Sequence, residues 1–344
     1  MTATIRTRLA RVALKAETTP GTDAIGGTPA AAEYVTCNAT MRFVQDASPN
    51  PAENGSYDDL PPIPGGLRAE VTLVMPIIGS GAPGTAPEWG KLMRACRMEE
   101  VITAAAVAAP TAATAGTATS VTAAAPFAAT AQLYRGMPLL ITGTPVSTDV
   151  VLDYTAGRVI TLAKTYSPAL NTSALLQVPI NVLYRPISDE TIEVGFTCYA
   201  YADGLRHRIL GMRGTWGVAL QAGRPGAITF TLTGIVAAYN EAAATPAGYV
   251  PLTRQAPRWA GGGAQLNRQP MACESLSANM NVRTYYPENP EAAEGYDIPI
   301  ITGAGARIAV NPFSHTTHTP TRTGAFRAGT PVSIAAVWGS VAGD

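Results

Sequence analysis

A glycine-rich hexapeptide is the motif in this sequence that most directly suggests chemistry. Residues 79–84 (GSGAPG) match the GxGxxG pattern of dinucleotide-binding turns, and Glu99 follows about 20 residues later, where such a site places a ribose-binding carboxylate. A pyrophosphate site opens its helix inside the glycine run, so that backbone amides face the phosphates. Here Pro83 lacks an amide, and residues 85–88 (TAPE) have capping-box spacing, which places the predicted helix start after the glycines. The motif therefore predicts a flexible turn.

Histidines offer a second possible chemistry, metal binding. His315 and His318 lie three residues apart, but a protein metal site needs a further ligand, and the sequence around them supplies no acidic residue or cysteine. The remaining histidine, His207, lies between two arginines in a predicted hairpin. We therefore predict loop histidines and no bound metal.

Nucleophiles and paired carboxylates are also poorly arranged for catalysis. Asp58 and Asp59 are candidates for glycosidase carboxylates or calcium ligands, but adjacent strand residues point to opposite faces and EF-hand spacing is absent.

No GxSxG nucleophile turn occurs, and Cys96 and Cys198 fall on predicted core faces, where a thiol is inert. The four cysteines are scattered without a CxxC pair, which indicates neither a zinc cluster nor a disulfide framework: Cys37, Cys96, Cys198 and Cys273. The sequence predicts no enzymatic activity and no cofactor.

The charge content predicts how the protein uses its surface. Only 14% of the 344 residues are charged and 47% are hydrophobic, whereas a soluble monomer normally covers itself with charge. Such a composition is typical of a chain that buries surface against further copies of itself. The 24 basic and 24 acidic residues balance, which argues against tight binding to DNA or to anionic membranes. The sequence has no run of about 18 apolar residues, so no membrane span is predicted.

Alternating apolar residues predict that these positions sit on a mainly β scaffold. The strongest signal is a meander of about four antiparallel strands over residues 192–233, turned at Asp203-Gly204 and again at residues 222–226. Residues 71–75 alternate in the same way, and further strands are predicted near residues 276–283 and 332–338.

One helix is predicted between these strands. Apolar side chains recur at helical spacing at Trp89, Leu92, Met93 and Cys96, directly after the capping-box signal. We expect this helix to cover one face of a sheet.

Two segments depart from this pattern. Residues 48–66 are dense in Pro, Gly, Asn and Asp without periodicity, which predicts a long loop of the kind that is usually functional or disordered. Residues 103–130 are mostly Ala and Thr, and short apolar β runs follow them. We predict a small inserted β domain over 104–186, within a discontinuous core domain formed by 1–103 and 187–344.

Several stretches, in this order, resemble a known family. Residues 14–22 (LKAETTPGT) are similar to its opening strand and Glu-Thr-x-x-Gly-Thr turn, and residues 87–96 (PEWGKLMRAC) resemble its helix. The most specific stretch is 201–215 (YADGLRHRILGMRGT), continued by 229–234 (TFTLTG). The chain resembles the tail tube protein, or major tail protein, of a long-tailed, siphovirus-type phage, over about 1–103 and 187–344.

The resemblance implies a tail-tube-type β-sandwich or barrel protomer with one flanking helix. Protomers would form hexameric rings whose inner strands join into a barrel, and stacked rings would form a tube through which DNA passes during ejection without specific binding. Partners would be further copies of the chain, the tape measure protein, the tail terminator and distal tail or baseplate proteins. The implied location is the virion tail, assembled in the bacterial host cytoplasm, with the insert on the tube exterior.

Two groups of residues are predicted to carry assembly. The loop at 48–66 is expected to make the ring-to-ring contact through Asn54, Tyr57, Asp58 and Asp59. Two interpretations stay open for a basic cluster, either a salt bridge to a neighbouring subunit or the exposed polar face of a hairpin: Arg206, Arg208 and Arg213.

Other functional classes remain as alternatives. A capsid decoration protein or tail terminator would share the β-rich, self-associating composition. A carbohydrate-binding or glycoside-cleaving β protein would need aromatic platforms, and aromatic residues make up only 7% of the chain.

Overall fold

Strands dominate the part of the chain that the structure describes, so the predicted mainly β fold is confirmed. The computed structural model describes residues 10–337 except positions 53, 54, 56, 248, 250, 251, 262 and 317. The first elements are β1 (Arg11–Ala16), β2 (Tyr34–Val35), β3 (Asn38–Ser48), β4 (Ile63–Pro76), α1 (Gly90–Met93) and β5 (Met98–Thr103). The middle elements are β6 (Val107–Ala112), β7 (Ala115–Gly116), β8 (Ser120–Thr122), β9 (Pro138–Gly143), β10 (Ser147–Tyr154), β11 (Val159–Leu162), β12 (Ala174–Val178) and β13 (Asn181–Pro186).

Strands in the last part of the chain pair with strands in the first part. Its elements are β14 (Phe196–Ala202), β15 (Leu205–Gln221), β16 (Ala227–Ala242), β17 (Gly263–Leu266), β18 (Gln269–Met271), β19 (Cys273–Asn279), β20 (Val282–Tyr285), β21 (Ile300–Ala304), β22 (Arg307–Pro312), α2 (His318–Arg327) and β23 (Ile334–Val337). Among the described residues, no helix has the length and apolar character needed to cross a lipid bilayer.

The main sheet runs in the order β2-β1-β14-β15-β16-β4-β3, with β19 added to β15 and β22 added to β19. Strand β15 can hold two neighbours on one side because it is long. It pairs with β14 through its first half and with β19 from Gly217 onward. The predicted four-strand meander is therefore three strands. Register shifts between Leu210 and Arg213, where Gly211 has φ +63°, interrupt the alternation of apolar residues within β15. Because of this interruption, the sequence predicts two separate strands where the structure has one.

The core face of this sheet follows directly from the alternating sequence. Leu73 lies opposite Phe230, and its neighbours Val71 and Met75 pair in the same register with β16. All three residues of β4 are at most 1% exposed. Burying a side chain of this size stabilises the fold by about 1.5–3 kcal/mol relative to leaving it in water.

Helix α1 covers this core, but it is shorter than predicted. It spans Gly90–Met93 and continues as a 3₁₀ turn to Cys96, and Leu92, Met93 and Cys96 are buried as expected. The predicted capping box is wrong. The carboxylate of Glu88 instead accepts a hydrogen bond from the backbone N–H of Thr36, at 2.8 Å, so a tertiary contact takes the group that the local pattern assigned to the helix.

The residues between β5 and β13 in the sequence form a second sheet, which has its own core. Its order is β6-β12-β9-β10-β11-β8-β7. Leu139, Ile141, Ile160 and Leu176 are fully buried in it. The β5–β13 ribbon connects this inserted sheet to the main sheet.

Small elements complete the C-terminal part. A three-stranded sheet has the order β18-β17-β23, and β20 pairs with β21 to form a separate ribbon. The predicted strand at 276–283 is interrupted, because β19 ends at Asn279 and β20 begins at Val282. Of the predicted last strand, Ile334 to Val337 is described and Trp338 lies outside the described residues.

Candidate assembly surfaces

One face of the main sheet carries small, mostly uncharged side chains across six strands. Directly opposite residues of an antiparallel pair lie on the same face, so the strand register places these positions side by side. We call this surface the polar wall; its members are Asn38, Thr40, Thr72, Val74, Thr229, Thr231, Thr215, Gly217, Ser277, Asn279, Arg307 and Ala309. All of them are exposed or half-buried, while the opposite face of the same strands forms the core.

Charge is sparse on the polar wall. Beyond Arg307, the charged pair in the same register is Arg42 on β3, which lies directly opposite Glu70 on β4. The row continues through Thr233 to Arg213, which is buried beneath the segment that contains Pro299. The polar wall therefore presents hydroxyl, amide and small apolar groups to whatever lies in front of it.

The polar wall ends at two unpaired strand edges. In the described part of the chain, β3 pairs only with β4, and β22 pairs only with β19. At the β22 edge, Ile308 points toward the core side but is 52% exposed, and Phe313 just beyond the strand is 61% exposed. An open edge with exposed apolar side chains is a template for pairing with another chain.

A loop projects from the hairpin of β3 and β4. Ser48 pairs with Ile63, so residues 49–62 form the connection. Tyr57 at its tip is fully exposed, and Asp58 and Asp59 are exposed as well. The fourth predicted contact residue, Asn54, lies outside the described residues.

The base of this loop is held by an arginine between two tyrosines. The guanidinium carbon of Arg68 lies 5.3 Å from the ring centre of Tyr286 and 4.9 Å from that of Tyr296, both within cation–π range. Arg68 also donates to the Asp46 carboxylate at 2.6 Å, and the Tyr296 hydroxyl donates to the same carboxylate. These hydrogen bonds, from Tyr296 first and then Arg68, outweigh partial burial and lower the pKa of Asp46 below its ordinary value.

A further contact joins the same two segments. Leu67 N–H donates to the Glu294 carboxylate at 2.8 Å. A Cβ at Gly66 would lie 1.9 Å from the Glu294 carbonyl oxygen, so only glycine permits this approach. The segment 286–296 thus fixes the direction in which the loop leaves the sheet.

We expect Arg68→Ala to loosen this base. Two cation–π contacts stabilise the closed arrangement by about 1–2 kcal/mol together, so local opening becomes roughly tenfold more frequent. Amide hydrogen exchange of Val44 and Gln45 should accelerate by that factor, while Leu73 keeps its protection. The exposed Arg42→Ala serves as control, and equal exchange rates in the two variants would contradict the role of Arg68.

The predicted basic cluster is engaged within the chain. Arg206 lies 2.8 Å from the Glu241 carboxylate, and Arg208 lies 3.1 Å from it. Arg213 is only 8% exposed and donates to the carbonyl of Pro299 at 3.0 Å, so it is not part of an exposed hairpin face. Contacts of Arg206 and Arg208 with a neighbouring subunit stay a prediction.

The Glu-Thr-x-x-Gly-Thr turn has a structural role that the sequence pattern alone did not disclose. The Glu17 carboxylate, 8% exposed, accepts from Gly21 N–H at 2.7 Å, Gly211 N–H at 2.7 Å and the Thr197 hydroxyl at 3.0 Å. Glu17 N–H in turn donates to the carbonyl of Gly195. One buried side chain therefore ties the N-terminal turn to β14 and to the bulge of β15.

The candidate chemical motifs form no described catalytic or metal site. The glycine run precedes α1 by several residues, so its amides do not open that helix. His315 and His318 stack at 4.9 Å between ring centres, and the described residues hold no cluster of three potential metal ligands. His207 is buried, which lowers its pKa, and its Nδ1 accepts from Asn240 N–H at 3.2 Å.

The cysteine thiols are held in their protonated form. Burial raises the pKa of Cys37 to about 12 and raises the pKa values of Cys96 and Cys198 as well. A thiol with a raised pKa is a poor nucleophile at neutral pH.

The described residues bring together three features suited to self-assembly: a wall with few charges, strand edges without a partner on both of its sides, and a loop whose base is held by Arg68. No protein-family model and no curated protein sequence matches this chain.

Proposed function

We propose that this protein is the subunit of a phage tail tube, a structural component of the virion that assembles into stacked rings around a channel for DNA. The observation that carries the proposal is the polar wall bounded by the free edges of β3 and β22. A sheet that is open on both sides joins to identical sheets and closes when the rotation between copies completes a ring.

In this assembly, the β3 edge of one copy pairs with the β22 edge of the next. Edge-to-edge pairing satisfies backbone groups that are unpaired in the protomer and removes the aggregation hazard of an open sheet. It also covers Ile308, which lies on the core side of the edge strand and is half exposed in the single chain.

The composition of the polar wall suits the lining of a DNA channel. Lysine and arginine that contact phosphates release counterions and hold DNA tightly. The polar wall offers mainly Thr, Ser, Asn and Gly. Arg42 faces Glu70, whereas Arg307 at the β22 edge lies opposite Asn279, so each copy presents little net charge and DNA passes with only weak attraction.

The inserted sheet then belongs on the tube exterior. It is connected through the β5–β13 ribbon, directly after α1, and α1 packs on the core face of the main sheet. That face is opposite to the polar wall, so the insert projects away from the channel.

Electron microscopy of the purified full-length protein tests the proposal. We expect tubes or stacked rings with a central channel. Discrete trimers or single closed rings would favour a capsid decoration protein or a tail terminator instead. A persistent monomer that binds or hydrolyses glycans would overturn the proposal in favour of a carbohydrate-active protein.

A further inference from the structure

An apolar groove lies next to the β22 edge, under the C-terminal helix. It has a volume of about 780 Å³ and is lined by Leu266, Pro312, Arg322, Phe326 and Val332, among others. No side chain of α2 is buried, and Phe326 is 86% exposed. A groove of this size holds one or two large side chains of a binding partner, and an exposed phenylalanine on its rim is the kind of apolar surface that a partner covers.

The C-terminal segment that carries α2 and much of the groove lining has charge of one sign. Residues 298–337 contain Arg307, Arg322 and Arg327 and neither Asp nor Glu. The β3–β4 loop has the opposite composition. Residues 49–62 contain Glu53, Asp58 and Asp59 and neither Lys nor Arg. Complementary charge of this kind steers two surfaces together and selects against wrong pairings.

The loop also carries an apolar anchor of suitable size. Tyr57 is fully exposed, so it is not packed against the described residues of its own chain. Tyrosine is among the residues that most often dominate interface energies when it fills a pocket.

The groove and the loop lie at opposite ends of the main sheet. The loop leaves β4 at Ile63, whereas the other end of β4, Pro76, lies beside Ala227. Ala227 lies opposite Ala219, and Ala219 lies opposite Ser277. Ser277 in turn lies opposite Ala309, three residues before Pro312 at the groove. The 14 residues of β4 span about 45 Å, so one chain cannot fill its own groove.

We propose that the loop of one copy docks into the α2 groove of a copy in the next ring, with Tyr57 inserted beside Phe326 and the acidic loop residues facing Arg322 and Arg327. This inference rests on the proposed tube function and adds the identity of the surface that receives the loop. Because the loop and the groove lie at opposite ends of the main sheet, the contact repeats head to tail and builds a filament.

Two variants with different defects test this docking. The loop variant, Tyr57→Ala with Asp59→Arg, keeps the groove, and the groove variant, Phe326→Asp, keeps the loop. Each alone should give rings but no tubes in electron microscopy. A mixture should give two-ring stacks and nothing longer, since only the loop of the groove variant can enter the groove of the loop variant.

The controls separate the possible failures. Val146→Asp replaces a 78% exposed apolar residue of the insert and should form tubes of normal length. Because Phe326 is exposed, Phe326→Asp should fold, and Arg327→Glu provides a second groove variant if it does not. Normal tubes from both groove variants would overturn the docking and leave the tube function standing. A wild-type protein that never forms rings would overturn both.

Discussion

Replacing residues 49–62 by Asn-Gly should abolish tube formation and leave closed rings. Ser48 and Ile63 are paired, so a two-residue type I′ turn can join them without disturbing the hairpin. Those of the removed residues that the structure describes are mostly exposed, so the free energy of unfolding should change little. If the loop carries the ring-to-ring contact, its loss leaves the edge pairing within each ring intact and prevents stacking.

Sedimentation velocity and electron microscopy measure this outcome. A matched control shortens another exposed hairpin, by replacing residues 144–146 between β9 and β10 with Asn-Gly, and should leave tube length unchanged. Tubes of normal length from the variant that lacks residues 49–62 would refute the role of the loop.

Glu17→Ala should destabilise the protomer more than any surface substitution. The change leaves three donors without an acceptor. The N–H of Gly211 and the hydroxyl of Thr197 are buried, and the N–H of Gly21 is half-buried. Each unsatisfied buried group costs about 1–3 kcal/mol, so we expect the free energy of unfolding to fall by roughly 3 kcal/mol or more. Urea denaturation followed by intrinsic fluorescence gives this value.

Glu17→Gln and Glu291→Ala complete the comparison. Glutamine keeps one acceptor oxygen but presents an NH₂ group to a remaining donor, so its effect should be intermediate. Glu291 is exposed, and its removal should change stability by no more than about 0.5 kcal/mol. A Glu17→Ala protein as stable as Glu291→Ala would show that the carboxylate does not organise the turn.

The sequence predicts the parts of this fold that depend on local alternation. Val71, Leu73 and Met75 face the core as expected, because a strand with one buried face must place apolar residues at every second position. The burial of Cys96 and Cys198 follows from the same periodicity.

The sequence does not predict features that depend on distant segments. Arg213 is buried because residues near Pro299 cover it. Glu88 leaves its helix for the Thr36 amide. Helix α2 was missed because its sequence, HTPTRTGAFR, contains a proline and a glycine and has no apolar stripe. The polar wall likewise emerges only when register aligns strands that are far apart in sequence.

We propose that the polar wall lines the channel of a tube built from this chain. Cryo-electron microscopy of assembled tubes, viewed down the axis, tests it most directly. We expect a ring in which Thr40, Thr231 and Asn279 face the lumen, with β3 of each copy paired to β22 of its neighbour and the insert outside. A channel lined by the inserted sheet, or a polar wall that faces outward, would contradict it.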